Sequence, residues 1–261
     1  MTRSNYSDIN SYMAVPNIKP KIGKPLKDVT KLSSSTWQSS SLRLRPDTVD
    51  TDVFNSVVNN NEYNLPDTFD PKDIVIDIGS HIGCFTYACL KRGAKKIYSY
   101  EPFRNNYKIA ESNFDNEIKA GIVKLYNLAV WRSDIYQDML HCTESDDPMN
   151  TGGGNVISGI SKDNQIGTIQ FDKIIDSITS KTNDTTNNID NRINRIKLLK
   201  LDCEGSEFPI LFTSKKLSLV DYICGEYHTT TLRDSDNIYG RTNFDVGDIV
   251  YYLDQSFWSS S

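Results

Sequence analysis

Asp202, Glu204 and Glu207 crowd the stretch LDCEGSE directly behind an apolar run, and Glu226 and His228 close a second apolar run in GEYH. Two carboxylates after an apolar strand are costly unless something pairs with them. Alternate residues of a strand share a face, so Glu226 and His228 point the same way. If the two runs are neighbouring strands, both sets converge on one cleft. His228 is the first candidate for a general base, because an imidazole titrates near neutrality. Asp202 is the second, or orients that base, and Glu204 and Glu226 are placed to bind hydroxyl groups. Asp202 with Glu226 or His228 also offers oxygen and imidazole ligands, so a divalent metal stays open. Glu207 reads as a helix cap. Lys200, in LLKLD, is out of place in a buried strand and calls for a neighbouring carboxylate.

A second constellation lies earlier. In DIGSHIG, residues 77–83, an apolar run ends in Asp77 and meets Gly79 and Gly83. Glycine lets the backbone turn sharply and approach a ligand, and a helix starting near Gly83 aims its free N–H groups at the same place. Glu101 ends the next apolar run, 24 positions after Asp77, where a carboxylate accepts hydrogen bonds from both ribose hydroxyls of an adenosine. A dinucleotide calls for G-x-G-x-x-G without a carboxylate just ahead of it. The D-x-G-x-x-x-G found here suits a cationic sulfonium or amine better than a pyrophosphate. S-adenosylmethionine fits better than NAD.

Alternating elements must position these groups. DIVIDIG reads as a buried strand, GCFTYACLKRG as a helix, KKIYSYEP as strand two, RNNYKIAESNFDNE as helix two and GIVKLYNLAVW as strand three. DIYQDMLHC, a glycine-rich loop and GTIQFDKIIDSI interrupt the rhythm with extra strands and a helix. RIKLLKLDCEG and VDYICGEYH are two more strands, and NFDVGDIVYYLDQ is a final helix. Apolar strands alternating with helices predict an α/β fold, a mostly parallel sheet with helices on both faces. The loop NTGGGN serves as a lid or a plain hairpin connection. Trp131, Tyr136 and Tyr227 are either core or platforms for a sugar ring.

The 261 residues suffice for one large core. Residues 1–45, with SSSTWQSSS, have the composition of a flexible extension or linker, and 46–261 form the folded domain. A net charge of −5 argues against nucleic acid as a partner. No apolar run of about 18 residues predicts a membrane span, and the N-terminus lacks the apolar stretch of a secretory signal. The five cysteines contain no CxxC and mostly sit in apolar runs, which fits reduced thiols in the cytoplasm.

Taken in order, VIDIGSHIGCF, YSYEP, NLAV, LKLDCEGSE and GEYH resemble the FkbM-like family of S-adenosylmethionine-dependent methyltransferases, from about Arg45 to His228. The resemblance implies a Rossmann-like methyltransferase sheet and methylation of a hydroxyl on a glycan or glycosylated compound, such as a deoxysugar like rhamnose. By that resemblance Asp77, Gly79 and Gly83 line the methionine end of the cofactor, with Ser80 and His81 in the same loop. Glu101 holds the ribose, Ala129 sits by the adenine at the end of strand three, and Asp202 reaches the same site. Such sheets usually finish in a hairpin with an antiparallel last strand, for which QSFWSSS leaves little room. The C-terminal edge is therefore expected to be shortened, or replaced by the inserted strands. Amine or lipid acceptors and a non-catalytic cofactor-binding module remain alternatives, as does fusion to a glycosyltransferase.

Overall fold

A computed structural model describes residues 42–143, 149–152, 155–157, 165–179 and 195–226. His228, Tyr227 and the expected final helix lie outside the described residues. Strand β1 (Ile74–Ile78) is flanked by β2 (Lys96–Tyr100) and β8 (Ile196–Leu201), with β3 (Val123–Tyr126) and β9 (Val220–Gly225) beyond them. The order is β3-β2-β1-β8-β9 and every pairing is parallel. Such a sheet must be covered on both faces. Val75, Ile97 and Leu198 pack one face against the helix α1 (Asp50–Phe54), its π-helical continuation Asn55–Asn59, and α2 (Cys84–Lys91). Ile74, Ile76, Ile78 and Leu199 pack the other against α5 (Phe171–Thr179) and α6 (Glu207–Thr213). The period-two alternation of one strand thus feeds two cores.

Two expected elements are each split. Helix two is α3 (Arg104–Asn113) followed by α4 (Asp115–Lys119), broken at Phe114, whose buried side chain fills the space beside Gly83. Strand three ends at Tyr126, because the amide of Asn127 donates to the carbonyls of Glu101 and Pro102 at 2.8 Å each and turns the chain away. Ala129–Trp131 is a separate strand, β4. It joins β5 (Met139–Thr143), β6 (Asn155–Ile157) and β7 (Gln165–Gln170) in a second sheet of order β4-β7-β5-β6. The inserted strands therefore do not replace the C-terminal edge of the main sheet; they pair with one another, and β9 is its last described strand. No helix among the described residues is long and apolar enough to cross a membrane.

Candidate active site

Strand order reverses between β1 and β8, and in open parallel sheets ligands bind in the crevice beyond the carboxyl ends at that point. Register shows what stands there. Ser99, Asp77, Lys200 and Cys224 pair side by side across β2, β1, β8 and β9. Two residues further along each strand come Glu101, Gly79, Asp202 and Glu226, on the last rung of the ladder. Their backbone N–H groups donate to Tyr126, Tyr100, Ile78 and Leu201 respectively, at 3.0 to 3.3 Å. Carboxylates therefore stand on both sides of a gap at Gly79. Glu101 and Asp202 lie two strand spacings apart, roughly 9.5 Å.

The cleft above this row has a volume of about 370 Å³ and is lined by Gly79, Ser80, His81, Glu101, Asp202, Glu204 and Glu226 among others. That lies within the range of about 300–1,000 Å³ usual for small-molecule sites. Gly79 has φ +77°, and a Cβ there would meet the Asp202 carbonyl oxygen at 1.8 Å. The two strand ends touch only because residue 79 has no side chain.

Three expected cofactor contacts do not reach the cleft wall. Asp77 is fully buried one rung below it, since alternation turns its side chain under α2. Thr86 donates to its Oδ2 at 2.8 Å and Lys200 Nζ stands 3.5 Å from its Oδ1. Gly83 is needed for packing: its φ is +99°, and a Cβ would lie 2.1 Å from the Phe114 ring. Ala129 starts β4 rather than ending strand three, and is buried with Trp131 and Leu140 in a small separate cluster. That cluster makes Trp131 core, and Tyr136 is exposed away from the cleft lining. Neither stands ready to stack on a sugar.

Lys200 is the centre that the sequence only hinted at. Its Nζ donates to the Gly79 carbonyl at 2.6 Å and lies 3.4 Å from Asp202 Oδ2. Burial alone would lower its pKa, but the Asp202 and Asp77 carboxylates hold it well above its ordinary value. Burial holds the Asp77 carboxyl above the usual range although Lys200 pulls the other way. Tyr63 donates its phenol proton to Asp202 Oδ2 at 2.9 Å. No spacing marked Tyr63; Lys200 was marked by being a lysine between apolar residues just ahead of Asp202.

Glu101 is 2% exposed. Backbone N–H groups of His81 and Phe103 donate to its two oxygens at 2.7 and 2.9 Å. Burial pushes its pKa up to about 7 against these hydrogen bonds. A carboxylate has about four acceptor positions, so fixing it from behind leaves capacity toward the cleft. The His81 ring, at the cleft lining, is held by neighbours in the protein. Its Nε2 lies 2.9 Å from Arg45 Nη2 and 3.0 Å from Thr151 Oγ1. Burial lowers its pKa to about 4, so it is neutral at pH 7 and its Nε2 accepts from the guanidinium. Glu207 accepts from the N–H groups of Cys203 and Gly205 at 2.7 and 2.9 Å. It braces the turn that carries Asp202 and Glu204 rather than touching a ligand.

S-adenosylmethionine fits these residues. Glu101 offers acceptors for ribose hydroxyls, held in place by two backbone N–H groups. The Ser80 hydroxyl, in the cleft lining, is buried without a hydrogen-bond partner, a condition that costs free energy until a ligand fills it. No group of three or more His, Cys, Asp or Glu side chains is placed to hold a metal ion among the described residues.

Residues 77–255, more than half of the chain, match the methyltransferase FkbM domain. No curated protein matches the chain in sequence. Among solved structures, methyltransferase FkbM from Methylobacillus flagellatus KT is 15% identical, with a TM-score of 0.32, over 55% of this chain and 29% of that one. A proposed RNA methyltransferase from Pyrococcus horikoshii is 11% identical, with a TM-score of 0.31, over 72% of this chain and 59% of that one. The match therefore spans less than two thirds of either of those chains. The family match begins at Asp77 and takes in every strand end that builds the cleft: the chain belongs to the FkbM methyltransferase domain family.

Proposed function

We propose that the protein transfers a methyl group from S-adenosylmethionine to a hydroxyl of a glycan or glycosylated compound. The observation that carries this reading is the pairing, across the Gly79 gap, of a backbone-pinned Glu101 with the acidic end of β8. When bound, the cofactor supplies an electrophilic methyl group; the chain must align the acceptor oxygen and take up its proton. Glu226 is exposed at the end of β9 and Glu204 is partly buried, and both line the cleft. They are assigned to acceptor hydroxyls. His228, two residues beyond Glu226, is assigned as the base.

Charge narrows the acceptor. Lys200 is the only lysine or arginine among the described residues that line the cleft, which also carries Asp52, Glu62 and Glu226 toward its mouth. Such a surface favours an uncharged sugar over a phosphorylated one or a nucleic acid. The buried free thiols of Cys84, Cys89 and Cys203 fit a reducing, cytoplasmic setting. Incubation with methyl-labelled S-adenosylmethionine and a panel of neutral saccharides tests the reading, with label expected on a sugar oxygen. Transfer to nitrogen, or none with intact protein and a bound cofactor, would overturn it. His228→Ala is expected to lose turnover while keeping affinity for S-adenosylhomocysteine.

A further inference from the structure

His81 stands where the backbone favours glycine. Its φ is +53°, a left-handed conformation that costs free energy for a residue with a Cβ. The conformation has a use: it aims the His81 N–H, which donates to Glu101 Oε2 at 2.7 Å. Such strain persists only where the surroundings over-determine it. Here they seize the ring. Its Nε2 lies 2.9 Å from Arg45 Nη2, 3.0 Å from Thr151 Oγ1 and 3.5 Å from Asp50 Oδ1. Arg45 is fixed in turn, its Nε and Nη2 donating to the two oxygens of the fully buried Asp50. Its Nη1 donates to Asn106 Oδ1 at 2.9 Å, and the Asn106 amide stands 3.5 Å from the other oxygen of Glu101. Arg45 thus reaches both oxygens of Glu101, through one intermediary each. Arg45 and Asp50 lie ahead of Asp77, where the family match begins.

We propose that Arg45 and Asp50 set the ribose affinity of the cleft by locking the His81 ring, and with it the left-handed turn that presents the His81 N–H to Glu101. This role rests on the cofactor reading above. Arg45, Asp50 and His81 are positioning residues: they need not touch the ligand, and they fix the direction in which Glu101 offers its remaining lone pairs. A carboxylate held in place before binding has little rotamer freedom left to lose. A buried ion pair is a weak source of stability; here it serves to hold a strained turn.

Calorimetry with S-adenosylhomocysteine and its 2′,3′-dideoxy analogue isolates the ribose contribution, because the two ligands share every other group. Wild-type protein is expected to prefer the first roughly tenfold or more. His81→Ala keeps the N–H but loses the ring that holds the turn, and is expected to lower that ratio several-fold. His81→Gly also lacks the ring, yet glycine adopts a φ of +53° freely, so most of the ratio is expected to return. A ring that touched the ligand would give equal losses in both variants. A ring that served only stability would leave the ratio intact in both. Either result overturns the assignment. Arg45→Gln combined with Asp50→Asn removes the ion pair without stranding a charge. The combination is expected to lower the ratio in otherwise wild-type protein and to change it little alongside His81→Gly. Equal falls in the two backgrounds overturn the route through His81. Should the neutral pair fail to fold, the two His81 variants decide. Equal affinity of wild-type protein for both ligands defeats the assignment, and binding of neither defeats the cofactor reading along with it.

Discussion

Glu101 carries the clearest pH signature of any single side chain in the cleft. Its folded pKa of about 7 lies above the ordinary 4.5. Burial therefore favours the protonated form, and the stability this contributes is full below about 4.5 and lost as pH rises through about 7. Ribose hydroxyls donate best to the ionised form, so ligand affinity runs the other way. Calorimetry with S-adenosylhomocysteine at pH 6 and pH 8 is expected to show tighter binding at pH 8. Glu101→Gln is expected to bind weakly and without that slope. Glu207→Ala removes the acceptor of two backbone N–H groups, that of Cys203 buried and that of Gly205 partly so, and is expected to cost about 2 kcal/mol in urea unfolding, with Glu207→Gln retaining part of it. The carboxylates themselves were legible in the sequence, because each follows an apolar run by one residue. Asp77 was not: an acid just before a glycine turn reads as facing a ligand, and only the pairing of Asp77 with Lys200 shows that it sits a rung lower.

Between elements, the stretch before α1 and the inserted loop meet over the glycine turn. Arg45 binds both oxygens of the fully buried Asp50 at 2.8 and 2.9 Å and donates to Asn106 of α3 at 2.9 Å. Thr151 donates to Asp50 at 3.0 Å and accepts the Asn106 amide on its carbonyl at 3.0 Å. Val49 donates to the Met149 carbonyl at 3.0 Å. Burial would raise the Asp50 carboxyl, but its bonds with Arg45 hold it below the usual range. Breaking one partner of such a pair leaves an uncompensated charge. Asp50→Ala is expected to lose about 3 kcal/mol of stability by denaturant titration, with a further loss of cofactor affinity as His81 is released. The order of the main strands and helices was legible from apolar runs alone. The breaks inside helix two and strand three were not, because Phe114 and Asn127 act through partners far away in the chain.

For the whole molecule, a ligand that binds only the folded form raises stability by mass action. S-adenosylhomocysteine at one hundred times its Kd is expected to add about 2.7 kcal/mol, read as an upward shift in thermal unfolding. The floor of the cleft draws Gly79 and Glu101 from one part of the chain and Asp202 and Glu226 from another, with more than a hundred residues between Gly79 and Asp202. Bringing them together requires long loops to close before any contact rewards it. During synthesis no early fragment can complete the cleft, since Asp202 and Glu226 have yet to emerge from the ribosome. Once complete, the ligand acts as a clasp across that late seam, and amide hydrogens of β8 and β9 should exchange more slowly in its presence than without it.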